Sequence, residues 1–147
     1  MAAFKYRMQN ILDIKEKLED QQKMEYAKAN AALKKEQDKL EELLLRRSNY
    51  QTKLREKQHG ILDLDEIYFL KNAIISMSSM INAQLRIIAS AQSKVDEERE
   101  KLNAAMQDRK MHEKLREKAF DEFKTELIYK EGKETDELVA YKYNNAN

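Results

Sequence analysis

Ile67, Ile74, Ile81, Ile88, Val95 and Leu102 lie seven residues apart without a slip. Six successive apolar heptad positions predict an α-helix that buries one seam against another helix, whereas a half-buried strand would alternate every second residue. Arg109, Arg116 and Phe123 continue the register. A second stripe, Leu70, Met77, Gln84, Ala91, Glu98, Ala105 and His112, lies three residues further on. Its polar members make it read as much the weaker of the two.

The first half is periodic too. Ile11 and Leu18 are seven apart, as are Leu33 and Leu40, with Leu54 fourteen further on. Tyr26 precedes Leu33 by seven, and Leu43 and Tyr50 form a companion stripe. From Leu18 to Leu33 the spacing is fifteen instead of fourteen, which predicts a locally relaxed supercoil. Gln, Glu and Ala fill the region 21–32, so loose packing is expected there.

One segment interrupts the pattern, His59-Gly60-Ile61-Leu62-Asp63-Leu64-Asp65-Glu66. Gly60 suits the left-handed position after a helix, and Asp63 with Glu66 reads as an N-cap and its capping-box partner. The expected fold is therefore all-α: a first helix over about 3–58, a turn over about 59–63, and a second helix over about 64–131. Gly132 is the next stop signal, with a flexible tail over 132–147 and disorder at Asn144–Asn147. A short break between long helices favours a single antiparallel coiled-coil hairpin domain. Folding at about residue 61 pairs residues whose numbers sum to about 123, so Leu54 meets Phe69, Leu40 meets Ala83 and Ile11 meets His112. Helix lengths of ~84 Å and ~102 Å leave the second helix overhanging by roughly 12 residues. Phe120, Phe123, Leu127, Ile128 and Tyr129 fall in that overhang without an intramolecular partner.

Composition narrows the function. With no Pro and two Gly among 147 residues, turns for a sandwich or barrel are lacking, and with no Cys there is neither a disulfide scaffold nor a thiolate zinc site. Lys and Arg total 28 against 27 Asp and Glu, so nothing pulls the whole chain toward nucleic acid or anionic lipid. The start is charged by Lys5 and no 18-residue apolar run exists, so neither a targeting segment nor a membrane-spanning segment is expected. His59 and His112 lack neighbours at ligand spacing and read as solvated surface groups. No phosphate loop, nucleophile elbow or HExxH is present, which speaks against an enzyme and against a cofactor. The basic run Arg109–Lys118 is interrupted by Glu113 and Glu117 and holds no aromatic for base stacking, so it reads as a solvated face, with a basic contact to an acidic protein partner as the alternative. The sharpest anomaly is Asn72–Ser93, which carries Arg86 as its one charge. Ile75, Met80, Leu85 and Ile87 lie off the seam there. They are either a wider stripe packed on the first helix or a face that docks a partner.

The opening Phe4-Lys5-Tyr6-Arg7-Met8-Gln9-Asn10-Ile11-Leu12-Asp13-Ile14-Lys15-Glu16-Lys17-Leu18-Glu19 resembles the start of the flagellar export protein FliJ family. The length, the hairpin pattern, the stretch Asp108–Lys118 and the aromatic Ile67-Tyr68-Phe69-Leu70 are similar as well. The resemblance implies a non-enzymatic antiparallel coiled coil like the central stalk of rotary ATPases. It implies a cytoplasmic protein peripherally associated with the membrane at the flagellar base. Its partners would be the ring of the export ATPase, the export-gate membrane protein and substrate chaperones, with no nucleic acid. Leu43, Tyr50, Phe69, Ala73 and Met80 match the gate-contacting face, Ala73 and Met80 by position. The two termini would face the ATPase ring, with Ile11, Arg109, Arg116, Phe120 and Phe123 as its contacts. The other readings are a structural coiled-coil scaffold, for example a parallel homodimer, and a prefoldin-like chaperone, which lacks its expected strands here.

Overall fold

The computed structural model describes residues 3–61 and 63–145. Two helices form an antiparallel hairpin, α1 over Gln9–Lys57 and α2 over Leu64–Asn145. Their contacts divide into a turn unit, Gln22–Leu102, and a terminal unit, Met1–Gln21 with Asn103–Asn147.

The turn is capped as the sequence suggests on one side only. The Asp63 carboxylate accepts the backbone N–H groups of Asp65 and Glu66 at 3.1 and 3.3 Å, satisfying two donors that the first turn of α2 leaves open. The Glu66 carboxylate reaches across the turn to Lys57, 3.3 Å away. Gly60 departs from expectation, because no described residue has a positive φ. The Gln58 N–H still bonds to Leu54, and the His59 N–H closes a tighter bond onto Glu56, so α1 ends without a left-handed residue.

The helix ends also differ from the sequence reading. α1 begins at Gln9, not near residue 3, and the Met8 carbonyl accepts its first backbone bonds from Ile11 and Leu12. α2 runs through Gly132 to Asn145, so the expected stop there is not used. One interior glycine costs only about 1 kcal/mol of helix propensity, and Lys130, Glu131, Lys133 and Glu134 around it are good helix formers. Of the segments expected to be turn or disordered, Leu62, Ala146 and Asn147 lie outside the described residues.

The largest correction concerns the seam of α1. Ile11 and Leu18 do not belong to it. Leu12 is 3% exposed and Glu19 is buried, while Leu18 is 46% exposed. Buried or half-buried positions then run Leu12, Glu19, Tyr26, Leu33, Leu40, Arg47 and Leu54, seven apart throughout, so α1 has no fifteen-residue slip. The sequence hides this because two of these positions carry charge.

The region expected to be loose faces a buried apolar cluster. In the turn unit Ala29 and Leu33 of α1 enclose Val95 of α2, which is 1% exposed, with Tyr26, Ile88 and Ala91 packed against them. Small residues at 29 and 91 leave room for close packing around the β-branched Val95, so alanine at a seam here means intimacy and not a gap. The supposedly weaker stripe of α2 is also buried: Leu70, Met77, Gln84 and Glu98 are among its covered residues.

Candidate partner-binding surfaces

In the turn unit the polar seam residues satisfy one another. Gln84 donates to the Glu36 backbone carbonyl at 2.8 Å and to its carboxylate at 2.6 Å. Gln22 donates to the backbone carbonyl of Glu98 at 3.2 Å and also to its side chain. Lys94 lies 2.9 Å from that carboxylate. Polar groups matched across a seam penalise any shifted register, in which each would be buried without its partner.

The outer surface of the same unit is apolar where the charge is missing. Ile75 is 67% exposed, and Met80, Leu85 and Ile87 are exposed as well. Exposure of this extent fits a free face better than a wider stripe buried on α1. Phe69, Ala73, Met80 and Ile87 recur at offsets of four, seven and seven, which places them on one flank of α2. Phe69 and Met80 stand exposed there, and Ala73 is half-buried. Leu43 and Tyr50, seven apart on α1, are half-buried seam residues.

The terminal unit pairs Glu19 with Arg109, whose guanidinium also donates to Glu113 at 2.9 Å. Lys15 lies 2.8 Å from Asp108. The basic run Arg109–Lys118 is therefore not wholly a solvated face, because Arg109 is committed inside the unit. His112 is not a solvated surface group either. Its side chain is 13% exposed, its Nδ1 is buried with no hydrogen-bond partner, and its Nε2 lies 3.8 Å from Asp108. His59 is exposed. Leu18, expelled from the seam, lines an open groove of about 510 Å³ with Ala104, Ala105 and Met111.

Phe120 and Phe123 are not without a partner. Phe4, in the non-helical segment before α1, meets Phe120 edge-on at 5.0 Å between ring centroids and Phe123 at 5.5 Å. The Arg116 guanidinium sits 5.7 Å over the Phe4 ring while its Nε donates to Gln9 at 2.9 Å. The unpartnered part of α2 starts later than expected: every described residue from 128 to 145 is exposed, Ile128, Tyr129, Leu138, Val139, Tyr141 and Tyr143 included.

The family described as flagellar FliJ protein matches residues 4–147, nearly the whole chain. The chain belongs to the FliJ family. Neither a curated protein nor a solved structure matches it. FliJ proteins are non-catalytic components of the flagellar export apparatus. Among the described residues no helix is long and apolar enough to cross a membrane.

The structure gathers the residues singled out from the FliJ resemblance into two groups. Leu43, Tyr50, Phe69, Ala73 and Met80 all fall in the turn unit, and Ile11, Arg109, Arg116, Phe120 and Phe123 all fall in the terminal unit. Sequence reasoning missed Phe4, Glu19 and Gln84 as structural partners. Phe4 carried a usable signal as an aromatic in the opening motif, and Gln84 carried one through its place in the heptad stripe with Leu70 and Met77; Glu19 carried none, being one charged residue in a chain full of them.

Paired carboxylates give the hairpin an acid limit. Hydrogen bonds from Gln84, Lys94 and Lys15 hold the Glu36, Glu98 and Asp108 carboxyls below their ordinary values of 4.5, 4.5 and 3.8. Their folded pKa values lie below the unfolded ones, so their contribution is complete above those ordinary values and is lost as pH falls through the lower folded ones. Melting temperature is expected to stay level from about pH 7 to about pH 5 and to drop below about pH 4.5. Thermal melts followed by circular dichroism check this, and a level trace down to about pH 3 contradicts it.

Proposed function

We propose that this chain is a stalk-like component of the flagellar export apparatus that binds the export gate through its turn unit and the export ATPase ring through its terminal unit. The observation that carries the gate contact is the exposed apolar flank of α2. A chain with 37% charged residues leaves Met80 and Ile87 exposed within a stretch holding one charge, with Phe69 exposed on the same flank just ahead of it. An exposed aliphatic and methionine surface of this kind suits a protein partner whose own apolar side chains cover it. The ATPase contact draws support from the projecting end of α2 and from Phe120 and Phe123 at its root. A single helix enters a narrow central hole where a helix pair fits less easily. Substrate chaperones are further partners on this reading, which also puts the protein at the cytoplasmic face of the flagellar base.

Met80→Glu tests the gate contact. A charge placed on the flank is expected to weaken binding to the purified gate protein on the order of tenfold. Helicity and melting temperature should be nearly unchanged, because Met80 is 46% exposed. Unaltered affinity with intact helicity would reject this flank as the gate contact.

A further inference from the structure

Phe4, Phe120 and Phe123 form a three-ring cluster with one unusual property: one ring comes from a segment outside any helix. Residues 3–6 have no regular structure and 7–8 form a turn. The Gln9 N–H bonds to the Tyr6 carbonyl at 3.2 Å. Against α2 the segment leaves a cleft of about 690 Å³ lined by Phe4, Tyr6, Met8, Ala119 and Phe123, with Lys5, Arg7, Glu122 and Glu126 also in its lining. Phe4 is thus a side chain seated on an aromatic surface from a segment that belongs to neither helix.

We propose that residues 3–8 are a latch that masks the aromatic seat of Phe120 and Phe123 in the free protein and yields it to an apolar or aromatic side chain of the ATPase ring. The inference rests on the proposed ring contact and adds its regulation. Two features favour a mask over a permanent brace. Phe120 remains 39% exposed beneath Phe4, so the cover is partial. The ring contacts and the Arg116 guanidinium over Phe4 are each weak interactions, of a size that a partner's own aromatic or apolar group replaces. An occupied seat lowers apparent affinity by the fraction of time it is open, so the latch delays ring binding until the ring itself competes for the seat.

The absence of native cysteine makes the test direct. In full-length protein carrying Ala119→Cys in the cleft, the thiol-labelling rate is compared with and without Phe4→Ala. ATPase affinity is measured for Phe4→Ala and Phe123→Ala in the unlabelled chain. The latch is supported if Phe4→Ala speeds labelling and tightens ATPase binding, each by roughly three- to tenfold. Unchanged labelling overturns it whatever the ATPase does. Faster labelling with weaker binding overturns it as well, because Phe4 is then part of the contact. Faster labelling in a protein whose Phe123→Ala variant binds the ATPase normally removes the ring contact itself, a failure of the underlying reading and not of the latch. Circular dichroism of Phe4→Ala should match the parent, since Phe4 precedes α1.

Discussion

Val95→Ala is expected to lower the melting temperature by roughly 6 °C, a loss of about 2 kcal/mol. Two buried methyl groups disappear at the best-covered position of the turn unit, and Ala29, Leu33 and Ala91 around it are too short or too constrained to refill the space. Ile75→Ala serves as the control, because Ile75 is exposed and its truncation leaves no cavity. Calorimetry on the two variants decides whether the segment 21–32 faces a tight core. If Val95→Ala costs no more than Ile75→Ala, the packing there is loose, as the run of Gln, Glu and Ala suggests on paper.

Glu19→Arg is expected to destabilise the terminal unit at least as much as Val95→Ala destabilises the turn unit. Glu19 is buried, and the reversal sets a second guanidinium against Arg109 with Glu113 left to serve both. Reversing the buried partner is costly because Arg109 loses its buried counter-ion and meets a like charge in a part-buried place. Arg109→Glu in the same chain restores opposite charges across the seam and should recover most of the lost melting temperature. The double variant separates a specific pair from a general tolerance problem: additive losses from the two single changes mean that the pair does not hold the register. A second readout is helicity, which should fall in the single variants and return in the double one.

These two variants mark where the sequence is transparent and where it is opaque. The heptad row from Ile67 to Leu102 is visible because apolar side chains repeat at a spacing only a helix seam explains. The Asp63 cap is visible because a carboxylate ahead of an open helix end has one obvious use, and Lys57 with Glu66 then falls in the expected antiparallel register. The α1 seam is misread at its start because Ile11 and Leu18 look apolar and Glu19 does not. Burial of Glu19 is decided by Arg109, ninety residues away, and no local pattern contains that information. The exposed flank around Met80 is half legible: missing charge flags the stretch, but which way Ile75, Met80 and Ile87 face depends on where α1 packs.

The sequence alone determined that this chain forms two long helices around one break and favoured their folding back as a hairpin near residue 61, because period and capping are local properties. It also carried the opening motif that leads to the FliJ family. Tertiary structure alone decided which polar residues the seam takes in, that Ala29 and Ala91 pack around Val95, and that Phe4 returns to cover Phe120 and Phe123. Those outcomes rest on pairs far apart in the chain, whose energies exist only once the two helices lie side by side.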